Sequence, residues 1–128
     1  MDYILRSTKK LSGLGFYDDS FDDELIPYIN SVFLVLKQLG VGPSEGFVVS
    51  AGTGGLSYDK WTDFIPDDAV LRESVKSYMS AKVKLQFDPP TSSVVADALY
   101  RTINEFEWRL REEAELIADG KEGIQNGE

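Results

Sequence analysis

The chain predicts an all-α protein, a small bundle of about four helices with a β-hairpin inserted between the second and third. Three observations carry this reading. First, residues 82–110 contain a helix end, a hard corner and a second, longer helix. Second, apolar residues recur at three- and four-residue steps on both sides of that corner and again over residues 25–39. Third, residues 41–63 break the pattern, with many glycines and few helix formers.

The corner is the firmest local feature. Pro89 and Pro90 lack the backbone donors that a helix needs, and Asp88 is pushed out of the α region by the proline after it, so the preceding helix stops near Phe87. Thr91, Ser92 and Ser93 then offer hydroxyls to the first free N–H groups of the last helix. Val95, Leu99, Ile103, Phe106 and Leu110 form its apolar stripe.

At the other end of the chain, Asp2 is positioned to cap a short first helix with Ile4, Leu5, Thr8 and Leu11 inward, closed by Gly13 or Gly15. A helix of three turns at most depends on tertiary contacts. The acidic run Asp18, Asp19, Asp22, Asp23 and Glu24 lacks the glycine-containing twelve-residue spacing of a calcium loop and is better explained as complementing the positive end of the next helix. With Asp22 as N-cap, Phe21 and Ile26 occupy the positions of a hydrophobic staple. Leu25, Ile29, Val32, Phe33, Leu36 and Leu39 continue inward, Pro27 sits near the start, and Gly40, Gly42 and Pro43 close the helix.

Residues 47–50 and 57–61 read as the two limbs of the hairpin, around the glycines at 52–55. The GTGG run there has no Lys-Ser or Lys-Thr after it and no helix N-terminus to hold an anion, which argues against phosphate binding. Pro66, Asp67 and Asp68 open the third helix. Its inner side carries Leu71, Val75, Tyr78, Met79, Lys82 and Val83. Arg72, Glu73, Lys76, Ser77, Ser80 and Lys84 lie opposite, where a solvated face is expected. On the last helix Trp108 falls about 200° from Phe106, off the apolar stripe: either a contact residue or one covered by a flanking element such as the first helix. Glu105 and Arg109 are spaced for an i,i+4 pair. Beyond Leu116 the chain is too polar and glycine-rich to repay its ordering entropy, which divides it into a helical domain at 1–116, with its hairpin at 47–61, and a flexible tail at 117–128.

Composition limits the chemistry. At 128 residues one domain suffices. The sequence has no cysteine and no histidine, which removes disulfides, cysteine nucleophiles, zinc sites of the usual kind and every triad built on imidazole. No cofactor and no metal site is expected. No stretch has the apolar length of a membrane span and the N-terminus has no export-signal pattern, so a soluble, unexported protein with no membrane partner is expected. The formal charge of -9 disfavours unaided binding to a phosphate backbone.

Taken together, LGVGPSEGF at 39–47, SVKSYMSAKVKLQFDPPTSS at 74–93 and EFEWRL at 105–110, in the order short helix, helix, hairpin, helix, helix, resemble the head-tail connector, or adaptor, proteins of long-tailed bacteriophages and prophages. The resemblance implies a structural, non-enzymatic protomer in the virion neck, made in the host cytoplasm and assembled as a twelve-subunit ring. It implies as partners the portal protein above, a stopper or tail-completion protein below, and double-stranded DNA passing through the channel without sequence-specific binding. It also implies chain ends that re-order on assembly. An acidic channel suits passage of DNA, because a basic one would bind it with release of counterions.

A ring subunit needs two different surfaces that meet head to tail. The residues expected there are Phe47, Tyr58 and Trp61 of the hairpin, Trp108 of the last helix, and Ile117 and Ile124 of the tail. A rival reading, an acidic DNA mimic that blocks a DNA-binding protein, needs carboxylates laid along one face. Arg72, Lys76, Lys82, Lys84, Arg101, Arg109 and Arg111 interrupt any such face. A glycosidase-type carboxylate pair is not marked by any two residues of the chain.

Overall fold

The computed structural model describes residues 2–14, 19–20, 22–51 and 57–126, the last six of these by backbone alone. Five helices follow one another: α1 (Ile4–Ser12), α2 (Asp22–Leu39), α3 (Trp61–Phe64), α4 (Ala69–Phe87) and α5 (Ser93–Asn126). The predicted all-α class holds, with one short helix, α3, added where a strand was expected.

α4 is the central element, packed against α1, α2 and α5. Asp68 caps it by accepting the Leu71 N–H at 3.0 Å, and it ends at Phe87, where the Asp88 N–H closes on the Lys84 carbonyl at 2.8 Å before the two prolines. Its buried residues Val75, Tyr78, Met79 and Val83 meet Leu25, Ile29, Val32, Phe33 and Leu36 of α2 and Ile103 and Leu110 of α5 in one core. The face of α4 predicted to be solvated is so only in part, at Glu73 and Ser77. α1 lies along it, Ser80 is buried, and the Lys76 ammonium is held by Asp2 at 2.8 Å and Glu73 at 3.1 Å. A short amphipathic helix buries its apolar face where it finds a partner, and here polar residues at the seam are satisfied by ion pairs rather than water.

This arrangement also changes the role of Asp2. The N-cap of α1 is Tyr3, without a side-chain cap, because the Asp2 carboxylate is committed to Lys76. Leu11, expected inward, is exposed. α1 is instead fastened to the start of α2 by Lys9, whose side chain is 5% exposed and whose ammonium reaches Asp22 at 2.9 Å and Asp19 at 3.2 Å. Asp22 thus serves the ion pair across the loop. The expected staple residue Phe21 lies outside the described residues.

The β-hairpin is not formed among the described residues. Asn30 of α2 clamps Val49 at two points, its Oδ1 accepting the Val49 N–H at 2.7 Å and its Nδ2 donating to the Val49 carbonyl at 3.0 Å. The Ser50 N–H donates to Asp59 Oδ2 at 2.8 Å. At Val49 and Ser50 the first limb therefore has ladder groups satisfied by side chains. The second limb turns the other way: Tyr3 and Lys60 form an antiparallel bridge, with Ile4 N–H on the Asp59 carbonyl at 2.8 Å and Trp61 N–H on the Asp2 carbonyl at 3.2 Å. The expected tip at 52–55 lies outside the described residues.

The loop is anchored by aromatic packing instead. Phe33 has Phe64 at 4.8 Å, Phe47 at 5.2 Å and Trp61 at 6.0 Å between ring centroids. Phe64 also closes over Gly42, which has φ +90°. A Cβ at Gly42 would overlap the Phe64 ring, whereas one at Gly13, also at positive φ, would meet nothing within 4 Å. Gly42→Ala is expected to cost about 3 kcal/mol and Gly13→Ala about 1 kcal/mol, measured by urea unfolding of each variant. Lys9→Ala, which strands Asp22 with its side chain only 11% exposed, is expected to cost about 3 kcal/mol in the same experiment.

Candidate interaction surface

The six residues proposed from sequence as interface anchors do not share one environment. Trp61 opens α3, is 1% exposed and donates its indole N–H to Ser7 Oγ at 2.6 Å, so it is spent on the core of this chain. Phe47 is half-buried between Phe33 and Phe64. Tyr58 is exposed and meets Tyr3 edge-on at 5.5 Å. Trp108 is 60% exposed, because α1 packs on α4 and leaves the outer side of α5 uncovered. Ile117 is at the margin of exposure, and Ile124 lies on α5 where only the backbone is described. α5 itself continues as a helix to Asn126, past the point where composition placed the start of the tail.

Around Trp108 the surface is concave. A groove of about 410 Å³ is walled by Val70, Leu71 and Ser74 of α4 and by Phe106, Trp108, Leu110 and Leu116 of α5. Its rim is acidic, with Asp68, Glu112 and Glu113 beside Arg109. Arg109 is already engaged by Glu105 Oε1, at 2.7 Å from Nη2 and 3.1 Å from Nε, which is the pair the sequence spacing predicted. Glu112 and Glu113 form no ion pair among the described residues. On the far side of Leu71 a second concavity of about 580 Å³ is lined by Val41, Pro43, Phe64, Ile65, Ala114 and Ile117, among others.

Sequence reasoning missed Val70 and Leu116, both among the most exposed apolar residues of the chain. They lie off the apolar stripes of their helices, and Leu116 stands two turns beyond Trp108, which is the only signal that joins them before the fold is known. The first turn of α5 departs from the predicted stripe: Val95 is exposed, while Ile103 and Leu110 are buried as expected.

The perturbed titrations belong to the scaffold. Burial, then the hydrogen bond and charge of Glu107, push the Tyr78 hydroxyl far above the ordinary tyrosine range; the hydroxyl donates to Glu107 Oε2 at 2.7 Å. Burial likewise raises Tyr28, whose hydroxyl donates to the Lys82 carbonyl at 3.3 Å. For Lys76 burial alone lowers the pKa, but the hydrogen bonds and charges of Asp2 and Glu73 outweigh it and leave the ammonium above the ordinary lysine value. No cluster of three or more acidic side chains placed to hold a metal occurs among the described residues, and no helix is long and apolar enough to cross a membrane.

Residues 4–116 match the family model described as Phage connector protein. No curated protein and no solved structure matches the chain.

The raised tyrosines set an alkaline limit on stability. Above about pH 10 the unfolded chain releases tyrosyl protons that the folded chain retains, so stability falls as pH rises. Tyr78→Phe is expected to flatten that fall between about pH 10 and 12, measured as urea midpoints across the range.

Proposed function

Because the chain belongs to the phage connector protein family, with a match that runs from the start of α1 into the C-terminal half of α5, we propose that it is a structural subunit of the head-tail junction that acts by making interfaces. In this reading copies of the chain assemble head to tail as a twelve-subunit ring beneath the portal, join it to a stopper or tail-completion protein, and line the channel through which the genome passes. The observation that carries the reading beyond family membership is the exposed Trp108 set in an apolar-walled groove. A large aromatic left uncovered beside a concavity is the usual composition of an interface anchor. The charge of -9 fits a conduit that duplex DNA crosses without adhering, since neutralised phosphates would release counterions and hold it. The residues from Ile117 onward are assigned to contacts with the portal, as a segment that re-orders on assembly.

Native mass spectrometry of the chain, alone and mixed with the portal ring of its phage, tests the proposal. A closed oligomer, or a fixed number of copies captured by the portal, is the expected result; a monomer that ignores portal and binds a nuclease or repressor overturns it. Trp108→Ala is expected to leave the helical signal and the thermal transition of the isolated subunit essentially unchanged while weakening assembly by about tenfold or more. A lost thermal transition would instead place Trp108 among the stabilising contacts of the subunit itself.

A further inference from the structure

The outer side of α2 carries a second apolar patch, and its chemistry is the complement of the Trp108 groove. Three contacts define how residues 46–49 run beside α2. The Lys37 stem lies over Gly46, where an added Cβ would stand 3.3 Å from Lys37 Cδ; Phe47 packs on Phe33; and Val49 is clamped by Asn30. The segment therefore runs antiparallel to the helix. Phe47 and Val49 point inward, which turns Val48, 67% exposed, outward; Leu34, the residue after Phe33 on α2, is 54% exposed. Lys37, three residues after Leu34 on α2, forms no ion pair among the described residues. The outer side of α2 and the segment beside it thus offer two exposed apolar side chains and one unspent positive charge. The groove on α4 and α5 has apolar walls at Val70, Trp108 and Leu116 and unspent negative charges at Glu112 and Glu113.

We infer that the occupant of the groove is a second copy of this chain, entering with Leu34 and Val48 and setting Lys37 against Glu112 and Glu113. The inference rests on the connector reading and supplies the contact that reading lacks. Apolar surface on each side, opposite charge on the two rims and no residue in common are what a heterologous contact requires. Repetition of such a contact closes a ring when the rotation allows. The groove is also large enough for more than one aliphatic side chain.

The absence of cysteine makes the pairing directly testable. Val48→Cys and Leu116→Cys chains are prepared separately, mixed, and oxidised both free and on the portal ring. A disulfide dimer is expected in the mixture and none from either variant alone. Lys37→Glu is expected to weaken assembly about tenfold, with recovery on adding Glu112→Lys and Glu113→Lys. Oligomers that form by native mass spectrometry yet give no mixed disulfide overturn this pairing and leave the connector reading standing. A chain that stays monomeric with and without portal overturns both.

Discussion

The Phe33 ring is the contact on which the middle of the molecule depends. Rings from three other places in the sequence converge on it or on its neighbour: Phe47 from the segment after α2, and Trp61 and Phe64 from α3. Between α2 and α4 the described chain has little regular structure, so no backbone ladder fixes its path. Buried aromatic area and a few side-chain clamps do so instead, of which the Asn30–Val49 pair of hydrogen bonds is the most specific. Removal of such a clamp leaves two buried backbone groups unpaired, which explains why one amide side chain can take the place of a strand partner.

Around that nest α4 organises the helices, and ion pairs fasten α1 to both of its neighbours. Lys9 ties it to the start of α2, and Asp2, immediately before it, reaches Lys76 on α4. The two pairs differ in weight. Lys9 and Asp22 are largely withdrawn from water, so loss of one partner strands a charge, whereas Asp2 is half-exposed and its pair with Lys76 is weakened by solvent and salt. The amino-terminal helix is thus held by ion pairs, by the backbone bridge between Tyr3 and Lys60, and by buried Ile4 and Leu5.

A connector works through surfaces, and those of this subunit are built from what the core leaves over. Trp108, Val70 and Leu116 are apolar residues left exposed beside carboxylates, and Leu34 and Val48 are exposed apolar residues elsewhere on the chain. In the proposed reading the overall acidity and these local arrangements serve different ends: net charge bears on passage of DNA, and single charged side chains bear on which surfaces meet.

Much of the fold was legible before the structure, because helix boundaries here are written in local chemistry. The Asp88-Pro89-Pro90 corner, the Asp68 cap, the glycines after Leu39 and the i,i+4 pair of Glu105 with Arg109 depend only on neighbours within a few residues. The family pattern was legible for the same reason, as a combination of such segments. Several features were not legible. Residues 47–50 and 57–61 have the composition of strands, but whether they pair is decided by what else can satisfy their backbone, and Asn30, Asp59 and Tyr3 come from elsewhere in the chain. Trp61 reads as readily for an interface as for a core, and its burial follows from the meeting of α1, α2 and α3. By itself the sequence determined the four longer helices, the corner between α4 and α5 and the family, because these follow from short-range sterics, hydrogen bonding and periodicity. Only the tertiary structure decided which polar groups became buried pairs and which apolar ones, Trp108 first among them, were left on the outside, because burial is a property of packed elements and not of any one of them.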